Sequence, residues 1–179
     1  MKKILEKIKL IDFLETELEI PKNEFTNRFS KIVDEGSTNS LFDMFDIFSS
    51  SKNEYKGEIE FSRFKIKRKK KFFDMNIIFP VAKGFLNQKD DKLFIKTEIN
   101  AFKGIMIIFF VFIILIYLVI AISLFTNNNT DDFSIYLAIP FLLIHGSFMI
   151  GIPYLLLRRS VKRFKYEFER ELFYLTKNN

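Results

Sequence analysis

The spacing of apolar residues changes character several times along this chain. Ile4, Leu5, Ile8 and Ile11 share one face of a short amphipathic helix over residues 2–11. Residues 13–20 (FLETELEI) then alternate apolar and polar side chains, as a half-buried strand does. Pro21 breaks that pattern, and Asn23 is placed to cap a helix over residues 24–34. Phe25, Phe29, Ile32 and Val33 would share its face, and Gly36 would follow its C-terminus. A second short helix is predicted over residues 40–48, with Leu41, Phe42, Phe45 and Phe48 as its stripe, before a loop at 49–53. Beyond the loop the period becomes two. Tyr55, Gly57, Ile59 and Phe61 alternate with polar neighbours, as do Phe64 and Ile66, and later Leu93, Ile95, Thr97 and Ile99. Residues 73–86 are more continuously apolar, and 88–91 supply a turn. The expected fold of residues 1–103 is an α+β domain. It has an antiparallel sheet of four to five strands, a meander with residues 13–20 as the fifth, and two helices over one face.

Residues 104–125 (GIMIIFFVFIILIYLVIAISLF) and 135–157 (IYLAIPFLLIHGSFMIGIPYLLL) are uncharged. A helix of about 20 apolar residues crosses a hydrocarbon core of about 30 Å. Two such runs in a chain this short leave too little protein to bury them, so residues 104–157 are predicted to form a two-helix transmembrane hairpin. Its outer loop, 126–134 (TNNNTDDFS), is short enough to make the helices antiparallel neighbours. Lys92, Lys96 and Lys103 precede the first span. Arg158, Arg159, Lys162, Arg163 and Lys165 follow the second, and the loop has no cation. The positive-inside rule then places both termini, and the α+β domain, on the cytoplasmic side of the cell (inner) membrane. The N-terminus has no apolar signal segment, because Glu6, Lys7, Lys9 and Asp12 interrupt it, and is expected to stay there. Residues 158–179 form a further cytoplasmic segment. In it Val161, Phe164, Phe168, Leu172 and Leu175 define an amphipathic helix, expected to dock on the N-terminal domain. Pro140 and Pro153 are expected to kink the second span. The triplet Asn128–Asn129–Thr130 fits a glycosylation acceptor but lies too close to the membrane to be expected to be modified.

Composition narrows the chemistry. The absence of cysteine excludes disulfides, thiolate metal sites and thiol nucleophiles, and the single histidine excludes a His-rich metal centre. No phosphate-binding loop, dinucleotide fingerprint, nucleophile elbow or calcium loop occurs, so no catalytic residue, metal or cofactor is assigned and the chain is not expected to be an enzyme. Much of the net charge of +6 comes from residues 63–71 and 158–165. On a strand, Lys65, Lys67, Lys69 and Lys71 would project from one face. With Arg158, Arg159, Lys162 and Arg163 they are the candidate contacts to an anionic inner leaflet. A solvated sheet face accounts for the same lysines. Nucleic acid is not an expected partner, since basic charge without a recognition motif carries little weight.

Two features stand out inside the hairpin. Ser147-x-x-x-Gly151 is a small-xxx-small pattern, expected to pack on the first span, with self-association as the alternative. His145 lies near mid-span, where an ionisable residue points to function by default. Tyr117 should reach the same depth, and a hydrogen bond between phenol and neutral imidazole would satisfy both groups. A proton relay would want a carboxylate, and neither span has one.

The arrangement, with the exit RRSVKRF at 158–164, is similar to that of the YcxB-like and bacterial pleckstrin-homology-like membrane proteins. In the YcxB-like pattern the β domain follows the hairpin; here it precedes it, and no residue roles are implied. The expected function is a non-catalytic membrane module that presents a surface to inner-leaflet lipid or a cytoplasmic protein. The alternatives are a ligand-sensing membrane effector that oligomerises through its hairpin, with a second copy as partner, and an immunity-type protein.

Overall fold

A computed structural model of the chain describes residues 2–38, 51–69, 79–126 and 132–177. The elements run α1 (Lys2–Lys7), β1 (Ile11–Leu18), α2 (Lys22–Ile32), β2 (Val33–Glu35), β3 (Tyr55–Ile59), β4 (Arg63–Arg68), β5 (Val81–Lys89), β6 (Lys92–Asn100), α3 (Gly104–Thr126) and α4 (Asp132–Lys177). The helix expected over 40–48, residues 73–78, Lys71 and the Asn128–Thr130 triplet lie outside the described residues.

The sheet has six strands in the order β1-β6-β5-β4-β3-β2. The meander β3-β4-β5-β6 is antiparallel, as the alternation predicts, and β1 joins it as a fifth strand against β6, with Ile11 opposite Asn100 and Leu18 opposite Leu93. The sixth strand corrects the expectation. β2 pairs parallel to β3, with Val33 opposite Tyr55. Helix α2 therefore stops at Ile32, because Val33 is extended (φ −118°, ψ 123°). A β-branched residue beside an open strand edge gains more by joining the ladder than by adding a helical residue. Gly36 consequently ends a strand rather than a helix, its N–H donating to the Gly57 carbonyl at 3.1 Å. The helix also starts one residue before Asn23, with Pro21 in the capping position.

Alternation decides what the sheet buries. Leu14, Thr16 and Leu18 of β1, Leu93, Ile95, Thr97 and Ile99 of β6, Ala82 and Leu86 of β5 and Phe64 and Ile66 of β4 all face one side and are buried. Helix α2 contributes Phe25 and Phe29 to that side, and the C-terminal part of α4 contributes Val161, Phe164, Phe168 and Leu172. The aromatic rings interlock. Phe29 meets Phe64 edge-on at 5.1 Å between centroids, Phe168 lies 5.8 Å from Phe64 and 6.0 Å from Tyr55, and Phe25 stacks on Phe29 at 5.3 Å. Each such pair contributes about 0.5–1.5 kcal/mol beyond burial. Gly84 makes room for this cluster, since a Cβ there would fall inside the Phe64 ring.

The chain divides into two compact units: residues 1–102 with 157–179, and residues 103–156. The tail is thus an integral layer of the sheet unit, and the apolar segment is an insertion between β6 and that layer. Helix α4 runs unbroken through Pro140 and Pro153, so the second apolar run and the tail are one helix of 46 residues.

In the second unit, α3 and the first part of α4 are apolar all round. Met106 and Ile113 are buried, but most of the large apolar side chains are exposed. Ile108, Phe112 and Val119 of α3 and Leu137, Phe141 and Leu143 of α4 are examples. Both helices are long and apolar enough to cross a membrane, by length and composition.

Candidate functional site

The outward face of the sheet carries the residues that alternation turns away from the core. In β4 and β5 its charged positions are Arg63, Lys65, Lys67, Lys83 and Lys89, all cationic. In β1 they are Glu15 and Glu17, both acidic. The acidic edge is matched locally: Glu15 pairs with Lys96 at 3.0 Å, Glu17 with Lys92 at 2.5 Å, and Glu98 of β6 with Lys2 at 2.6 Å. The glutamates hold the Lys92 and Lys2 ammonium groups above the usual lysine range, chiefly through these hydrogen bonds. Both lysines are exposed to water, so the pairs order the surface without adding much stability.

The four lysines expected to form one exposed row do not do so. Lys65 is exposed, but Lys67 is fully buried and Lys69 is nearly so. Lys69 has left the strand. Its N–H donates to the Glu54 carbonyl at 2.8 Å, and its Nζ reaches Asp34 Oδ2 of β2 at 2.5 Å. Asp34 also accepts from Ser51 Oγ at 2.7 Å and Asn53 Nδ2 at 2.8 Å. Burial pushes the Asp34 carboxyl up, but these three donors and the lysine charge outweigh it and hold it below the usual carboxylate range. The group ties the short parallel strand to the sheet, a structural duty that nothing in the residue spacing advertised. Lys67 and Lys69 are therefore removed from the surface expected to meet lipid. Arg158, Arg159 and Lys162 are exposed on α4, as is Arg163, whose Nε donates to Glu167 at 2.8 Å. Glu167 also accepts from Arg68 Nη1 at 2.8 Å, linking β4 to the tail helix. Tyr55, beneath these groups, has its phenol pushed well above its ordinary value by burial, reinforced by Glu171 and Glu54.

In the helical unit, Tyr117 of α3 and His145 of α4 meet as expected, the phenol oxygen hydrogen-bonding His145 Nδ1. Phe141 stacks on the imidazole with ring planes 9° apart. The small residue facing α3 is Gly146, where a Cβ would sit 3.5 Å from the Tyr117 ring. Ser147 and Gly151 do not pack on the first span. On a helix they are turned about 100° and 140° from Gly146. Ser147 Oγ donates to its own helix at the Leu143 carbonyl, and the space beside Gly151 is open. Leu143, Ile144, Phe148, Ile152 and Leu155 complete a shallow apolar groove of about 450 Å³ there.

Sequence reasoning missed Lys83 and Phe85 because residues 73–86 read as a continuous apolar run. The signal was present in the alternation Val81-Ala82-Lys83-Gly84-Phe85-Leu86, which turns Lys83 and Phe85 outward. Among the described residues, no three His, Asp or Glu side chains converge on a metal position. Comparison with family models, with curated proteins and with solved structures gives no match.

Proposed function

We propose that this chain is a non-catalytic, membrane-anchored module, with its sheet unit on the cytoplasmic side of the cell membrane as an interaction surface. One observation supports this most directly: the apolar segment leaves the sheet unit after residue 102 and re-enters it at 157. A folded unit occupies one side of a bilayer, so an insertion with both ends in it crosses an even number of times. Two helices, a short connection and two spans fit that requirement. The exposed apolar surface of α3 and α4 would be an aggregation liability in water, and hydrocarbon is a cover of matching length. At 1.5 Å per residue α4 is about 70 Å long, more than twice the core thickness, so its second half can leave the bilayer and serve the sheet. The cations around Arg158 and Lys162 favour the cytoplasmic side.

The test is membrane fractionation of cells expressing the whole chain. It should remain in the membrane pellet after alkaline carbonate washing and float with lipid. Release by carbonate would sink the spanning reading and leave peripheral attachment.

A second reading, an effector that self-associates through its hairpin, is favoured by one observation: the Ser147–Gly151 groove is open rather than occupied by α3. It predicts an oligomer in mild detergent that Gly151→Leu dissociates. A monomer in both forms would remove it.

A further inference from the structure

The bond to Tyr117 satisfies only one ring nitrogen of His145. A neutral imidazole has one nitrogen that donates and one that accepts. Tyr117 occupies Nδ1, and among the described residues His145 makes no other hydrogen bond. The two ring nitrogens diverge, so Nε2 turns away from Tyr117, on a side chain that is exposed. The Ser147 hydroxyl is committed to the Leu143 carbonyl. His145 lies at least ten residues from either end of the uncharged run 135–157, about 15 Å of helix. An imidazole is too short to reach the headgroups from that depth, as a lysine or arginine near a helix end can. In hydrocarbon Nε2, with a bare proton or a bare lone pair according to tautomer, is costly to leave without a partner.

The residues around it form a seam. Ala138, Phe141, His145, Phe148, Ile152 and Leu155 follow one another at the alternating three- and four-residue spacing of heptad a and d positions. The four large apolar members are exposed. His145 is about 100° round the helix from Gly146, which faces α3.

We infer that α4 pairs along this seam with α4 of a second copy, in parallel about a two-fold axis normal to the membrane, with the two His145 Nε2 atoms hydrogen-bonded to each other. Depth identifies the occupant. Two copies share one orientation in the bilayer, so a two-fold axis brings His145 to its own counterpart at the same level. The tautomers are complementary. In one copy the phenol donates to Nδ1 and Nε2 carries the proton; in the other Nδ1–H donates to the phenol oxygen and Nε2 accepts. A single polar residue at an a position sets the register of a helix pair, and hydrogen bonds between helices hold such pairs in membranes. The inference rests on the anchored reading, which puts His145 in hydrocarbon. It gives self-association a centre other than Gly151, although the groove there shares Phe148, Ile152 and Leu155 with the seam.

The absence of native cysteine permits the test on the whole chain. Ala138→Cys and Ser147→Cys are near-isosteric and lie on opposite sides of α4, about 180° apart. Carbonate-washed membranes holding either variant are oxidised with copper phenanthroline, and the disulfide-linked dimer is measured. Ala138→Cys should cross-link and Ser147→Cys should not. Adding His145→Leu to Ala138→Cys should abolish the dimer, whereas His145→Asn, which keeps a donor and an acceptor, should retain it. Tyr117→Phe breaks the same intrachain bond but spares Nε2, and should leave the dimer in place. Cross-linking through Ser147→Cys alone, through both positions equally or through neither would overturn the inference. So would an Ala138→Cys dimer indifferent to His145→Leu, lost equally in Tyr117→Phe, or not retained by His145→Asn. If carbonate releases the chain, the anchored reading itself fails; protein that stays in the membrane without cross-linking removes only this contact.

Discussion

The sheet unit and the helical insertion are both rich in apolar side chains but place them differently. In β1, β5 and β6 the apolar residues occupy every second position and are buried against Phe29, Phe168 and Leu172. In α3 they occupy nearly every position, and most remain exposed within the chain. A polypeptide that can bury Ile66, Leu93 and Ile99 completely has no difficulty burying isoleucine. The exposure of Ile108 and Val119 therefore points to a cover outside the chain. The contrast is between a unit that supplies its own core and one that borrows its surroundings.

The largest effect should come from exchanging the insertion itself. Replacing residues 103–156 by a flexible linker should move the protein from membrane to soluble fraction while the sheet keeps its circular dichroism and a cooperative melt. An aggregated or unfolded product would mean that the sheet unit depends on α3. Truncation of a single ring sharpens the same comparison. Phe168→Ala removes the ring that touches Phe29, Phe64 and Tyr55, and should cost about 3–5 kcal/mol in denaturant unfolding of the sheet unit. Phe112→Ala on α3 should leave that unfolding unchanged. An equal loss from both would erase the distinction between the units.

Asp34 offers a smaller, pH-dependent effect. Asp34→Asn should destabilise the sheet unit by about 2 kcal/mol, since it weakens hydrogen bonds around a charged group and leaves Lys69 without its carboxylate. The folded-state pKa of Asp34 lies below the ordinary value. The unfolded state then binds the proton more tightly, so the native advantage is full above the ordinary carboxylate pKa and fades as pH falls through the lowered one. Urea midpoints of the two proteins should differ at neutral pH and converge in acid. A pH-independent difference would mean that the carboxylate charge contributes nothing. The smallest effect should be Lys96→Ala at the exposed Glu15 pair, with no measurable change in unfolding.

What was legible in the sequence follows from period and length. Period two gave β1, β4 and β6 to within a few residues, and length with apolarity gave α3. The tail helix was legible through Val161, Phe164, Phe168 and Leu172. Local pattern could not show β2, whose three residues are a strand only because β3 lies beside them. Nor could it show that Lys67 and Lys69 are buried, since that depends on partners such as Asp34, distant in sequence. The Tyr117–His145 pair was legible because an antiparallel hairpin fixes depth. The orientation of the Ser147–Gly151 face was not, because nothing in the local pattern shows that Gly146, rather than Ser147 or Gly151, is the small residue beside Tyr117.

The central claim is that the insertion crosses a membrane twice and returns to the side it left. With no native cysteine, single cysteines at Thr126, at the end of α3, and at Lys177, at the end of α4, can report it. A membrane-impermeant maleimide is applied to intact cells and again after permeabilisation. The account predicts that Thr126→Cys is labelled in intact cells and Lys177→Cys only after permeabilisation. Labelling of Lys177→Cys in intact cells, or shielding of both positions until the membrane is opened, would contradict it.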